Sequence, residues 1–470
     1  MHKILVATLA ATVLAACNTV PPMPSMYQAP AVDMAEQVHT MTLKNGMKII
    51  VKEDHRAPVV TSMVWYRIGS SYEEVGTTGV SHVLEHMMFK GTQKFPAGEF
   101  SRIIAANGGR ENAFTGRDYT AYFQTLESSR LSISLQMEAD RMRGALMLPE
   151  EFAKEIEVVM EERRMRTDDD PQSLTYEVFN ASAYGSSSYR WPVIGWMEDL
   201  KAMTATDIRV WYDQWYRPNN ATLVVAGDVT AKDVFALAEK YFAPLEAGPV
   251  PQRKPRQEFA QKGLKRVQVK APAQVPYLIM GYKTPSLNDP IDDSELYALE
   301  VLAGILDGGN SARLARNLVR GQEIANSAGA GYDMYTMGQE LFMLDGTPAR
   351  GRSVADLEQA LRQQVADLKQ SRVTTDELAR VKAQVMASKV YEKDSLFYQA
   401  MQLGMLETTG FGWQKQQGYL NGIRAVTAEQ VQQVAQKYLV DEVLTIAELV
   451  PLPLDSQTPQ RRATGGRHGR

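Results

Sequence analysis

A single cysteine, Cys17, stands in 470 residues. That excludes an internal disulfide framework. Histidine is scarce too: His2, His39, His55, His82, His86 and His468 are all there are. An excess of positive charge is also missing, the net charge being -4. Phosphate binding normally needs a basic patch, and no such run crosses the globular part, which argues against nucleic acid as a partner. What is present is ordinary globular protein, 44% hydrophobic and 23% charged. At about 100–200 residues per domain, the length calls for two to four domains.

The N-terminus reads as a targeting segment over residues 1–16. Lys3 supplies the positive end. The apolar run Ile4 to Ala16 is too short to span a bilayer and ends in small residues. Leu14-Ala15-Ala16-Cys17 resembles a bacterial lipobox, which implies cleavage before Cys17 and a lipid on it. Position 18 is Asn rather than Asp, so an outer-membrane address facing the periplasm is expected rather than inner-membrane retention. Residues 17–36, rich in Pro, Ala and Met, read as a flexible tether.

Beyond the tether the chain echoes itself. "HTMTLKNGMKIIVKE" and "VVTSMVWYRIG" alternate like strands, with an Asn45-Gly46 turn signal in the first. "MTATDIRVWYDQWYRPNNATLVVAGDV" (203–229) lines up with "VTAEQVQQVAQKYLVDEVLTIAELVP" (426–451). Both give a Thr-Ala start, a helix ending in aromatics and a β-rich run, as an internal duplication would. The expected division is a first half over 37–246, a Pro- and charge-rich linker over 247–262, and a second half over 263–452. A disordered basic tail over 453–470 follows.

The chemistry centres on "GVSHVLEHMMFKGT" (79–92). His82 and His86 are four apart, so on a helix they share a face and can aim at one ion. Glu85 borders that face. The string H-x-x-E-H is the inverzincin signature, though two helix histidines can be neighbours by chance. A catalytic zinc needs three protein ligands and an open position. The third must be His39, His55 or a carboxylate. In "EEFAKEIEVVMEERRMR" (150–166), Phe152, Glu155, Val159 and Glu162 fall on one helical face. If the apolar pair points inward, Glu155 and Glu162 do too, and a buried carboxylate needs a partner or a metal. Glu157 and Glu161 fall on other faces. The competing reading is a half-buried helix whose glutamates pair with Arg163, Arg164 or Arg166.

Together these features resemble the pitrilysin–insulinase class of zinc metallopeptidases, nearest the bacterial and mitochondrial processing-peptidase type. "NAFTGRDYTAYF" (112–123), "YRWPVIGWMEDL" (189–200) and "YRPNNATLVVAGDV" (216–229) fit the same class. The similarity runs from about residue 38 to about 450 and weakens past the linker. The resemblance implies an α+β fold of two homologous halves, each a mostly antiparallel sheet covered by helices, facing each other across a cavity. It implies one zinc ion per chain held by His82, His86 and Glu162, with Glu85 activating the zinc-bound water. It makes Glu155 an orienting residue behind a ligand, and Asn112 and Ala113 part of an edge strand that binds peptide. The implied activity is endoproteolysis of peptides or unfolded polypeptides.

One segment departs from the pattern. Active members of the class carry an Arg and a Tyr seven apart in the second half; here Val319 and Asn326 hold those places. Arg320 is one residue off register, which turns it about 100° around a helix. Two arrangements follow. Either the chain works alone as a weak or specialised peptidase, as a monomer or homodimer, or a related chain without the zinc motif supplies the Arg–Tyr pair in a heterodimer; the second is the expectation. The alternative function is a non-catalytic scaffold or assembly subunit of the same fold, but such relatives usually lose the metal ligands, and here every ligand position is filled.

Overall fold

The structure, a computed structural model, describes residues 38–252 and 257–454. The targeting segment, Cys17, the tether and nearly all of the tail lie outside the described residues. Among the described residues, no helix is long and apolar enough to cross a membrane.

Two sheets organise the chain. The first holds β1 (Val38–Thr42), β2 (Lys48–Glu53), β3 (Val59–Tyr66), β4 (Arg110–Thr115), β5 (Thr120–Glu127) and β6 (Ala221–Gly227). Their order is β1-β2-β6-β3-β5-β4. The second holds β7 (Lys265–Pro272), β8 (Tyr277–Thr284), β9 (Ala325–Gly331), β10 (Glu340–Pro348) and β11 (Leu444–Leu452). Their order is β7-β11-β8-β10-β9. With β1 set aside the two orders correspond strand for strand. Each sheet has one parallel pair, β2 with β6 and β7 with β11, and the rest are antiparallel.

The echo seen in the sequence has a local cause. Thr204 caps the helix Ala205–Trp215 and Thr427 caps Ala428–Tyr438, each by a reciprocal capping box with the residue three on, Asp207 or Gln430. The box satisfies two amide groups that a helix start would leave open. Each helix then runs into a strand beside the parallel partner of its sheet, β6 or β11.

The central strands are apolar on both faces, so both faces need cover. In β3, Val60, Val64 and Tyr66 face helices of their own half. Met63 and Trp65 face the other way, against Ala400 and Leu403. Those two belong to the helix Leu396–Thr408, which comes from the second half of the chain. The exchange is mutual. The helix Pro171–Ala183, from the first half, lays Phe179 and Ala183 on Ile279, Leu341 and Ala447 of the second sheet. Glycine permits both contacts. A Cβ on Gly404 would lie 2.1 Å from Trp65 Nε1, and one on Gly281 would lie 2.5 Å from Phe179 Cζ. The two halves are therefore interlocked.

Between them lies a cavity of about 870 Å³. Its walls come from the first half, save for Tyr277 of β8.

Candidate metal centre

The helix Val80–Met87 starts at Gly79, whose φ of 87° suits glycine. A Cβ there would sit 2.5 Å from the Ile194 carbonyl oxygen. The first turn is capped from outside: the Glu73 carboxylate accepts from Gly79 N at 2.7 Å and Ser81 N at 2.9 Å. Burial pushes that carboxyl up to about 8 against the pull of the two amides. Val80, Val83, Leu84 and Met87 bury one face in the first core. His82, Glu85 and His86 are left on the face that lines the cavity.

The second wall is the helix Pro149–Arg163. Proline at its first position and Glu150 and Glu151 in the first turn favour a helix start there. Phe152, Glu155 and Val159 are buried, as their spacing suggests, while Glu157 and Glu161 are exposed. Glu162 reaches the histidines: Oε1 lies 3.9 Å from His82 Nε2, and Oε2 lies 3.4 Å from His86 Nε2. One atom from each of the three residues lies within 4.8 Å of the others, the one such group of three or more among the described residues. Donors about 2.0–2.2 Å from a tetrahedral zinc lie roughly 3.3 Å from one another, so the cluster fits that ion with small adjustments.

The electrostatics of the cluster suit a cation. Burial, and then His86, drive His82 down to about 4, which leaves it neutral. Its Nδ1 is buried without a hydrogen-bond partner. Burial also opposes charge on His86, but its bonds to Glu155 and Glu162 outweigh burial and raise it to about 9. Two carboxylates thus draw positive charge to this point. Glu155 Oε1 is 2.8 Å from His86 Nδ1, and its other oxygen pairs with Lys90. Glu162 also pairs with Arg166 at the exposed rim, so part of the arginine-pairing alternative is realised beside the histidine contacts. Arg163 is committed elsewhere, with bonds of 2.7 and 2.8 Å to Glu177.

Glu85 stands beside the cluster. Burial raises its carboxyl above the ordinary range, and a 2.5 Å hydrogen bond donated by Thr115 Oγ1 partly offsets this. A carboxylate tuned upward is suited to taking and giving a proton near neutrality. Thr115 ends β4, the edge strand of the first sheet, which also carries Asn112 and Ala113 along the cavity. Asn112 Oδ1 accepts from Ala113 N at 2.9 Å.

The other histidines lie elsewhere. His55 Nδ1 is 2.7 Å from Asp228, and His39 Nε2 is 3.8 Å from Glu53. Val319, Arg320 and Asn326 do not line the cavity. Val319 packs on the second core, Arg320 donates to the Asn310 carbonyl, and Asn326 is exposed on β9, the edge strand of the second sheet. No sequence signal singles out Thr115, Lys90 or Glu73. Thr115 ends the segment that carries Asn112 and Ala113, and Lys90 falls four residues after His86, but neither spacing alone names a partner.

Two family models match. Residues 48–195 fit "Insulinase (Peptidase family M16)" and residues 202–385 fit "Peptidase M16 inactive domain". The chain is 32% identical over 350 residues to the zinc protease PqqE of Helicobacter pylori, covering 73% of this chain and 77% of that one. A crystal structure of a protease from Helicobacter pylori superposes with a TM-score of 0.84 at 28% identity, covering 88% of this chain and 99% of that chain. A peptidase M16 inactive domain from Pseudomonas fluorescens has the same fold, with a TM-score of 0.79 at 19% identity over 89% of this chain and 100% of that chain.

Proposed function

Because this chain belongs to the insulinase (peptidase M16) family, we propose that it is a zinc-dependent endopeptidase acting on peptides or unfolded polypeptides. The observation that carries this reading is the convergence of His82, His86 and Glu162 beside Glu85 in one cavity. The three would hold one zinc ion per chain. Zinc, when bound, supplies Lewis acidity and lowers the pKa of water.

The remaining work falls to the protein. Glu85 takes the proton of the attacking water and hands it to the leaving amine. Thr115 fixes the Glu85 carboxylate through its hydroxyl. Glu155 holds the His86 ring by Nδ1, which leaves Nε2 facing Glu162, where it would be one of the zinc ligands. β4 has a free edge, so an extended peptide can add there as a further strand past Asn112 and Ala113. Backbone pairing of that kind tolerates many sequences.

Among the described residues, the second half contributes no Arg–Tyr pair to the cavity. A companion chain of the same family, lacking the zinc motif, would supply it. Loss of such donors costs on the order of 10²–10³ in rate, so the isolated chain should be slow. Cys17 would carry the lipid that anchors the protein to the bacterial envelope, facing the periplasm.

The experiment is a metal analysis of wild type and Glu85→Gln with peptide cleavage alongside. Zinc retained with cleavage lost in the variant supports the assigned roles. Wild type without zinc after loading overturns the reading.

A further inference from the structure

The cavity holds a cation that the proposed chemistry leaves unused. Arg117 follows Thr115 by two residues, in the turn from β4 to β5, and lines the cavity with the metal cluster. Its guanidinium stacks on the rings of Tyr189 at 4.9 Å and Tyr184 at 6.0 Å. It donates one long bond, 3.4 Å, to Asn180 Oδ1. That amide is turned toward it by a bond from Asn180 Nδ2 to the Tyr176 carbonyl.

Two other buried arginines show what Arg117 lacks. Arg141 makes two bonds to Glu138, and Arg163 makes two to Glu177. Among the described residues Arg117 makes no hydrogen bond or close ion pair to a carboxylate, although the charge of buried Glu340 acts on it. Arg141 Nη1 and Arg163 Nε are sealed off and unbonded, whereas no nitrogen of Arg117 is. Its spare N–H groups therefore open on the cavity. The carboxylates of the cavity are spoken for: Glu177 by Arg163, Glu162 by the histidines and Arg166, Glu85 by Thr115. Arg190 also lines the cavity and, among the described residues, bonds to the Gly185 carbonyl alone. Arg117 and Arg190 are thus cations on this cavity that no lining carboxylate pairs with, beside the Glu85 carboxylate.

We propose that Arg117 is a carboxylate-binding subsite of this cavity, so that the favoured peptide carries an acidic side chain or a free C-terminus near the bond to be cut. The inference rests on the peptidase reading above. A planar guanidinium with two parallel N–H groups matches a carboxylate fork to fork. Thr115, which holds Glu85, precedes Arg117 by two residues, so their Cα atoms lie at most about 7 Å apart and the subsite shares the cavity with the proposed base.

The test is binding, measured by fluorescence anisotropy on zinc-loaded Glu85→Gln protein, which cannot consume its ligand. The peptides differ only in one Glu against Gln, with the C-terminus free or amidated. An acidic peptide should bind about tenfold or more tighter than its neutral match, the size of a charge-assisted hydrogen bond. Adding Arg117→Gln should erase that preference and leave the neutral peptide's Kd unchanged, while Arg117→Lys should keep part of it. A preference that survives amidation names a side chain; one that vanishes names a chain end. Equal binding of acidic and neutral peptides by protein with Arg117 intact overturns the proposal, whatever the variants do. Equal weakening of both peptides by Arg117→Gln also overturns it, since a general peptide clamp would act that way. Zinc content and cleavage of neutral peptides by wild type report on the peptidase reading separately.

Discussion

Glu155 grips His86 from behind, its Oε1 lying 2.8 Å from Nδ1 while Lys90 holds its other oxygen. The contact joins two helices and sets the direction in which the ring's free nitrogen points. Glu155→Gln should keep the fold but weaken zinc binding by about 10–100-fold, the usual cost of losing a partner behind a ligand. Lys90→Met should give a smaller loss. Competition with a chelator of known affinity measures both; unchanged affinity in Glu155→Gln would leave Glu155 with a packing role alone.

Thr115 and Glu85 are coupled through one hydroxyl. The bond pulls the Glu85 carboxyl down, against burial, which raises it. Thr115→Val removes the pull, so the carboxyl should rise further. A base works once deprotonated, so the acid limb of the cleavage profile should move to higher pH. Glu85→Gln should abolish that limb and lower the rate by about 10²–10⁴. A Thr115→Val profile superimposable on wild type would sink this coupling.

The exchanged helices make Trp65 and Gly404 a test of the interlock. Gly404→Ala forces a methyl into the indole and should cost about 1–3 kcal/mol. Trp65→Ala should cost about 3–5 kcal/mol by emptying the space. Because the two touch, the double variant should be less destabilised than the sum. Urea unfolding of the four proteins gives the answer, and simple additivity would contradict the contact.

Glu258 should make the fold acid-sensitive. Its carboxylate accepts from the amides of Gly185, Ser186 and Ser187 and from Lys283 Nζ. Burial alone would raise it, but Lys283 and the three amides outweigh burial and bring it down to about 2. A carboxyl lowered on folding stabilises the protein above its unfolded pKa, about 4.3, and that stability is lost as pH falls from there to about 2. Glu258→Gln leaves Lys283 buried and unpaired, at a cost of about 3–5 kcal/mol at neutral pH. Melting curves between pH 2 and 7 should show a shallower decline below pH 4.3 in the variant. Parallel curves would rule the carboxylate out as the source.

The helix face through Phe152, Glu155 and Val159 was legible because burial follows a 3.6-residue period, and Glu162 continues it. The histidine pair was legible for the same reason. The Thr-Ala echo was legible because capping is a local signal. The cover on Trp65 was not: a strand apolar on both faces says that something packs there, never which part of the chain. Glu258 was hidden differently. Residues 247–262 have no apolar period and read as a linker between the halves, yet the Glu258 and Gln261 side chains are tied down. Hydrogen bonds to backbone amides leave no periodic trace.

The exchanged helices also bear on synthesis. Trp65 and Met63 emerge from the ribosome early, but Ala400 and Leu403, which cover them, follow more than about 330 residues later. At about 5–20 residues per second, that face of the first sheet stays bare for tens of seconds. During that interval the nascent chain is a client for any holdase that binds apolar strands, and a truncation before residue 396 would leave the exposure permanent.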